Sequence, residues 1–175
     1  MSIVTKTGDQ GTTALLYNRR VSKCHPRVIA SGELDELNAA LGLARANASD
    51  DVLCSRILAI QQELISLMGE ISTLPEDAER YVKDGFGRVS EEMIGRLEEH
   101  VREVEPTIGP LKDWAIPGEN VVAAALDLAR TVCRRAERSV CALKEGGESL
   151  NLQIVIYLNR LSDLLWLWAR KAEQI

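Results

Sequence analysis

Histidine and aromatic residues are scarce in this chain. Its 175 residues include two histidines, three tryptophans, three tyrosines and one phenylalanine. The two histidines, His25 and His100, belong to no Glu-x-x-His pair, which excludes the di-metal carboxylate centre of some helical bundles. So few histidines also leave no credible Ser–His or Cys–His pair for nucleophilic catalysis. The sequence therefore argues against a metal held by histidine or cysteine and against a protein nucleophile.

A basic surplus, a secretory signal and a membrane-length apolar run are also missing. The formal net charge is −5, opposite to the basic footprint that nucleic-acid binding needs. The N-terminal segment MSIVTKTGDQGTT has no apolar signal core, and no run of about 18 apolar residues predicts a membrane span. We expect a cytoplasmic protein that binds neither nucleic acid nor membrane, with its four cysteines as buried thiols. A local arginine cluster could still bind a small anion.

Apolar residues spaced three and four apart predict five helices. An aliphatic composition, 46% hydrophobic with few aromatics, favours a helical bundle over a β-sandwich. The helices are predicted at about 26–47, 51–73, 90–104, 121–144 and from 149 almost to the end, with long loops at 74–89 and 105–120. We predict one all-α domain over residues 1–175, a five-helix bundle (26–175) with a ferritin-like up-down core. Residues 1–25 are predicted to form a polar arm.

The predicted fourth helix carries a stripe of arginines. Arg130, Arg134 and Glu137 fall at i, i+4 and i+7 and share a face, which Arg138 extends by another turn. Guanidinium groups are planar, permanently charged and suited to phosphate oxygens. The stripe favours a binding site for an anion, which could lie at a subunit interface. A solvated face stabilised by ion pairs is the alternative.

The N-terminal arm is a second candidate for anion binding. It reads Thr5-Lys6-Thr7-Gly8-Asp9-Gln10-Gly11-Thr12-Thr13. Glycines let backbone N–H groups approach phosphates, and the lysine and the hydroxyls add further donors. No GK[ST] follows a strand, so this is not a Walker A loop. An ordinary turn-rich terminus is the alternative.

Polar residues also lie beside the apolar stripes of the predicted first and fifth helices. Asp35 shares a face with Asn38 and needs a cationic partner if it is buried, for which an arginine of the fourth helix is the natural candidate. Stabilisation by the helix dipole is the alternative. Asn159 has poor helix propensity, which is consistent with a hydrogen bond to a ligand or partner helix. An exposed polar face is the alternative.

Six segments in this order resemble the PduO-type ATP:cob(I)alamin adenosyltransferases. The segments are TKTGDQGTT (5–13), Lys23 with HPRV (25–28), GELDELNA (32–39), IPGEN (116–120), ARTVCRRAER (129–138) and YLNRLSDLLW (157–166). Each motif alone is weak, but together they cover essentially the whole chain.

The resemblance implies a homotrimer that holds ATP between neighbouring subunits. The implied reaction transfers the 5′-deoxyadenosyl group of ATP to the cobalt of cob(I)alamin and releases triphosphate. The implied substrates are ATP and cob(I)alamin, and the implied cofactor is Mg²⁺ bound to the phosphates of ATP. The implied protein partners are a cob(II)alamin reductase and an adenosylcobalamin-dependent enzyme. The alternative is a non-catalytic carrier or sensor of ATP or adenosylcobalamin with the same fold.

The resemblance also implies a role for each matching residue. The residues that would bind ATP are Thr5, Lys6, Thr7, Gly8, Asp9, Gln10, Gly11, Thr12, Thr13, Lys23, Arg134, Arg135, Glu137, Arg138 and Asn159. The residues that would bind cobalamin are Asp35, Trp114 and Arg130, and these with Arg134 form the catalytic set. Glu137 is the candidate protein ligand of Mg²⁺, and no histidine or cysteine ligates a metal. Asp35 would pair with Arg130 across the interface.

Trp114 stands where the family commonly has a smaller aromatic residue. In the family a Phe two residues before the Leu/Ile-Pro-Gly turn displaces the lower axial ligand of cobalt. That displacement makes reduction of Co(II) feasible, and we expect the indole of Trp114 to do the same. Two other departures are Glu119, where the family often has Gly, and Gln10, where a basic residue is frequent.

Overall fold

The structure, a computed structural model, describes residues 4–109 and 113–174. In that part of the chain β1 (Thr12–Leu15) pairs with β2 (Arg19–Ser22) in an antiparallel hairpin. The α-helices are α1 (Pro26–Asn47), α2 (Asp51–Ile71), α3 (Ala78–Lys83), α4 (Glu91–Val104), α5 (Val121–Glu145) and α6 (Gln153–Ala172). The predicted all-α bundle is confirmed. Residues 110–112 of the predicted loop at 105–120 lie outside the described residues.

The five long helices share one hydrophobic core. Helix α1 packs against α2 and α5, α5 packs against α6, and α6 packs against α4. Two of the residues that α5 turns inward, Ala129 and Ala136, are small and fully buried. Because helix spacing depends on the side chains at the contact, these alanines let α1 and α6 approach α5 closely. The charged face of α5 consequently stays at the surface of the bundle.

Helix α1 has the predicted bounds and α2 the predicted start, but α2 ends two residues early at Ile71, and the starts of α4 and α6 differ from the prediction. Asp50 caps α2 by accepting from the backbone N–H groups two and three residues further on, at 2.8 and 3.3 Å. Ser90 precedes α4 without a side-chain capping hydrogen bond, and the helix begins at Glu91, one residue later than predicted. Helix α6 begins at Gln153, four residues later than predicted, because the Asn151 carboxamide accepts from the Gln153 N–H at 3.1 Å and holds the preceding turn.

The predicted loop at 74–89 contains the short helix α3. Its anchor is Tyr81, which is 3% exposed and stacks on Phe86 with ring centroids 5.0 Å apart. The Tyr81 hydroxyl donates to the Gly87 carbonyl at 3.0 Å. A six-residue helix with one buried side chain has no apolar period, which is why the sequence pattern missed it.

Helix α2 corrects the expectation about apolar runs. By length and composition alone it could cross a membrane, with a mean hydropathy of 1.2. Mostly buried core helices of folded domains pass the same test, whereas 22% of this stretch is buried inside the structure. The residues of α2 buried in the shared core are Ile57, Ile60, Leu64, Leu67 and Ile71.

We expect His100 to make the stability of the bundle depend on pH. Its Nδ1 is buried without a hydrogen-bond partner among the described residues, and its ring lies 6.1 Å from that of Trp168. Burial, together with the charge of Arg56, lowers the pKa of His100 below its usual value. The fold therefore prefers the neutral imidazole. The contribution of His100 to the free energy of unfolding is complete above about pH 6.5 and is lost as the pH falls towards the lowered pKa.

We expect the substitution His100→Gln to flatten this pH dependence, because glutamine does not titrate. Thermal melts between about pH 7.5 and 5.5 should show a smaller fall in Tm for the variant than for the wild type. Parallel curves for the two proteins would contradict the assignment.

Candidate functional site

One face of α5 presents two arginines without a carboxylate partner. Arg134 and Arg138 are exposed, and neither makes a salt bridge with any residue in 4–109 or 113–174. Between them Glu137 accepts a hydrogen bond from the Asn159 amide of α6, at 3.3 Å. Helices α5 and α6 thus bring four of the predicted ATP-binding residues onto one surface. Their guanidinium donors are free for an anionic ligand.

Arg130 on the same helix is held by a buried carboxylate. Its Nε lies 3.1 Å from Oδ1 of Asp127, and Oδ2 of Asp127 accepts from Arg170 of α6. Arg170 also contacts Glu173 at 2.9 Å. One buried carboxylate therefore serves two guanidinium groups, which fixes the orientation of Arg130 while leaving part of its charge uncompensated. Sequence reasoning missed Asp127, although its i, i+3 spacing from Arg130 was an available signal.

Asp35 is exposed on α1, and no residue in the described part of the chain pairs with it. Its predicted partner, Arg130, uses Nε for Asp127, and a guanidinium has five N–H donors in all. The remaining donors leave room for a second carboxylate from another subunit. The contact between Asp35 and Arg130 across an interface stays a prediction.

Arg135 faces a different neighbour from the other arginines of α5. It forms an ion pair with Glu36 of α1 and lies 3.9 Å from Oε1 of Glu33. The hydrogen bond to Glu36 raises the pKa of Arg135 above its usual value. Since its donors serve the contact between α1 and α5, Arg135 is less available to a ligand than Arg134, and its role in ATP binding stays a prediction.

The N-terminal arm folds back onto the end of β2. The backbone N–H of Lys23 donates to the Gly11 carbonyl at 2.9 Å, which continues the hairpin register. A Cβ on Gly8 would lie 3.1 Å from Nζ of Lys23, so the ammonium group rests against the glycine backbone. Gly11 has a φ of +75°, which favours glycine. Asp9 and Gln10 are exposed between the two glycines. The structure thus brings the predicted phosphate-binding glycines and lysine together.

Arg20 of β2, which contacts the arm, is a residue that sequence reasoning missed. Its guanidinium donates to the Thr7 carbonyl at 2.9 Å and also to the Thr12 hydroxyl. Lys6 has a φ of +57° and no salt bridge with any described residue. Only the pairing of β1 with β2 places Arg20 beside the arm, so its spacing in the sequence carried no signal.

Trp114 lies on the loop between α4 and α5 and is 96% exposed. It therefore packs against almost nothing in the part of the chain that the structure describes. The two ends of its loop, at Val104 and Asn120, line a cavity of about 310 Å³ whose wall includes Trp168. An indole left in solvent is available to a ligand or to a second subunit.

The fold and these two cationic surfaces describe an α-helical bundle suited to a polyphosphate ligand. The chain belongs to the cobalamin adenosyltransferase family, whose profile matches residues 3–172. It is 42% identical over 175 residues to the corrinoid adenosyltransferase PduO of Salmonella typhimurium, covering 97% of this chain and 49% of that protein. It is 37% identical to the corrinoid adenosyltransferase of Mycobacterium leprae, and the match covers 97% of this chain and 90% of that protein. The chain therefore spans about half the length of the PduO relatives.

Solved structures give the same assignment. One is a variant of the PduO-type ATP:corrinoid adenosyltransferase from Lactobacillus reuteri, complexed with cobalamin and ATP. It is similar to this chain with a TM-score of 0.90 and 35% identity, covering 99% of this chain and 91% of that one. Another variant of the same enzyme, complexed with ATP, gives a TM-score of 0.88 and 32% identity.

Proposed function

We propose that this protein transfers the 5′-deoxyadenosyl group of ATP to the cobalt of cob(I)alamin and releases triphosphate. The observation that carries the proposal is the free pair Arg134 and Arg138 beside Glu137 and Asn159, on a fold whose solved relative holds cobalamin and ATP. In the reaction a cobalt–carbon bond forms and the bond between C5′ and the triphosphate oxygen breaks. The bonding electron pair leaves with the triphosphate.

The charge that develops on triphosphate explains the cationic residues. The cobalt of the substrate is itself the nucleophile, so no protein nucleophile is required. Arg134, Lys6 and Lys23 would contact the leaving group, whose negative charge grows in the transition state. Donors aimed at that charge accelerate the reaction because they interact more strongly with the transition state than with bound ATP.

We place the site between subunits of a homotrimer. Asp35 on α1 has no partner in the described chain, and Arg130 keeps donors free. The same two helices carry large apolar side chains at the surface: Leu43 on α1 and Leu128 on α5 are each 49% exposed. A second copy that covers these side chains would also complete the pair.

Mg²⁺ fits this site as an ion bound chiefly by the substrate. The described residues contain no group of three or more His, Cys, Asp or Glu side chains that could hold a metal. Mg²⁺ commonly binds one or two carboxylates together with substrate phosphates. One carboxylate oxygen of Glu137 accepts from Asn159, and no described residue hydrogen-bonds the other, which could take that role. When bound, the ion supplies charge neutralisation on the phosphates.

Trp114 is proposed to prepare the corrinoid for reduction. Its exposed indole would press on the lower face of the corrin and displace the axial base, which raises the reduction potential of Co(II). The electron would come from a cob(II)alamin reductase, and the product would pass to an adenosylcobalamin-dependent enzyme. We propose a cytoplasmic location, which the four free cysteines and the use of ATP support.

Anaerobic incubation with ATP, Mg²⁺ and chemically reduced cobalamin tests the proposal. We expect conversion of the corrinoid spectrum to that of adenosylcobalamin, with one triphosphate released per product. Binding of ATP and cobalamin without triphosphate would instead indicate a carrier or sensor. A folded protein that neither converts the corrinoid nor releases triphosphate would refute the transferase.

A further inference from the structure

Within the described residues, the hairpin that carries the arm is hydrogen-bonded to the segment from the end of α2 through α3. Nε and one terminal nitrogen of Arg19 donate to the two carboxylate oxygens of Asp77, at 2.7 and 2.8 Å. Asp77 is 5% exposed. This hydrogen bonding lowers the pKa of Asp77 and raises that of Arg19, so both groups stay charged. A bidentate pair fixes direction as well as distance.

Two further contacts restrain the turn between β1 and β2. Tyr17 and Asn18 have φ values of +58° and +59°, a left-handed pair that suits a tight hairpin but is unusual for tyrosine. The Tyr17 hydroxyl donates to Oδ2 of Asp84 at 3.0 Å, and the guanidinium of Arg80 lies 4.0 Å from the ring centroid. Such strain persists only where the surroundings determine it. Arg80 of α3 and Asp84, the residue that follows α3, therefore hold this turn.

The same hairpin determines where the arm lies. Arg20 of β2 donates to the Thr7 carbonyl, and the Lys23 N–H donates to the Gly11 carbonyl. Arg19 and Arg20 are neighbours on one strand, so their side chains point to opposite faces. One face of β2 binds α3 while the other binds the arm, so a shift of the hairpin on α3 moves the arm with it.

We infer that Arg19 and Asp77 are positioning residues for ATP: they fasten the hairpin to α3 and thereby place the arm and Lys23 over the triphosphate. This inference rests on the proposed role of the arm in ATP binding. Neither residue touches the substrate. Loosening the pair lets the arm sample other positions, and ATP binding then requires the arm to be ordered again.

The test is a double-mutant cycle with Arg19→Gln and Asp77→Asn, read by steady-state kinetics. We expect each single variant to raise KM for ATP about fivefold while kcat and KM for the corrinoid stay within about twofold. The double variant should be no worse than either single one, because both act through one pair. The matched control is Arg96→Gln, which removes another half-exposed arginine. A terminal nitrogen of Arg96 on α4 lies 2.5 Å from Oε1 of Glu63 on α2. It should leave KM for ATP unchanged.

Three results would overturn the inference. The first is an unchanged KM for ATP in folded variants, and the second is an equal impairment of KM for ATP, KM for the corrinoid and kcat. The third is additive effects in the double variant. Tyr17→Phe is the milder probe if the charged variants do not fold. It removes only the hydroxyl bond to Asp84 and should raise KM for ATP about twofold. No rise would count against the inference that the contacts of the hairpin with Asp77 and Asp84, here called the clamp, position the arm.

Hydrogen exchange separates the clamp from the proposed function. In Arg19→Gln the amides of Gly11 and Lys23 should exchange faster than in the wild type, while Arg96→Gln leaves them unchanged. If the wild type does not convert cobalamin, the proposed function fails and this measurement still decides the clamp. Equal exchange in Arg19→Gln and the wild type overturns it.

Discussion

Replacing Arg134 by alanine is expected to lower kcat/KM by about 100-fold or more, the loss typical of removing a donor to developing negative charge. Arg134 is exposed, and no residue in the described part of the chain pairs with it. Its removal therefore leaves no buried charge unpaired, and the free energy of unfolding should change by only about 0.5 kcal/mol or less. Anaerobic turnover and chemical denaturation measure the two effects.

Two other arginines are suitable comparisons for this prediction. Arg135→Ala removes a neighbouring side chain that is paired with Glu36, so we expect a smaller loss of activity than for Arg134→Ala. Arg102→Ala removes an exposed arginine of α4 that has no salt bridge in the described chain, and activity should not change. Equal losses at positions 134 and 102 would show that general surface charge, and not a directed contact, supports turnover.

Replacing Trp114 by alanine is expected to separate reduction from adenosyl transfer. Starting from cob(II)alamin with a reductant, the rate should fall at least about tenfold, because the axial base is no longer displaced. Starting from cob(I)alamin that is already reduced, the rate should fall less than about threefold. The indole is 96% exposed, so its truncation leaves no cavity and the fold should be retained.

Trp114→Phe is the matched control, since it keeps an apolar ring at the same position. It should retain most of the rate from cob(II)alamin, and the absorption spectrum of bound cob(II)alamin should report the loss of the axial base in the wild type and in this variant only. Equal losses by both routes in Trp114→Ala would assign the indole to corrinoid binding and not to reduction.

The helices were predictable because their information is local. The apolar stripe of α1, with Leu34, Leu37 and Leu41, repeats at helical spacing, and all three side chains are fully buried. Helix α3 was not predictable, since it is held by one buried residue, Tyr81, whose partners lie in other segments. The hairpin was missed for a related reason: the contact of Arg19 with Asp77 spans 58 positions.

Part of the candidate site could likewise be predicted from the sequence, and part could not. The spacing of Arg130, Arg134 and Glu137 placed them on one helix face, and the structure agrees. The spacing did not distinguish Arg134, which is free, from Arg135, which pairs with Glu36. Neighbouring helical positions point about 100° apart, and which of them meets another helix depends on the packing of that helix.

The sequence by itself determined the bundle, its core and the arginine face, because helical periodicity is a property of consecutive residues. Tertiary structure alone decided which arginines remain free for a ligand and how Lys23 comes to lie against Gly8. It also placed the hairpin on α3 through Arg19 and Asp77. These arrangements depend on contacts between residues far apart in the chain, and such contacts exist only once the helices have packed.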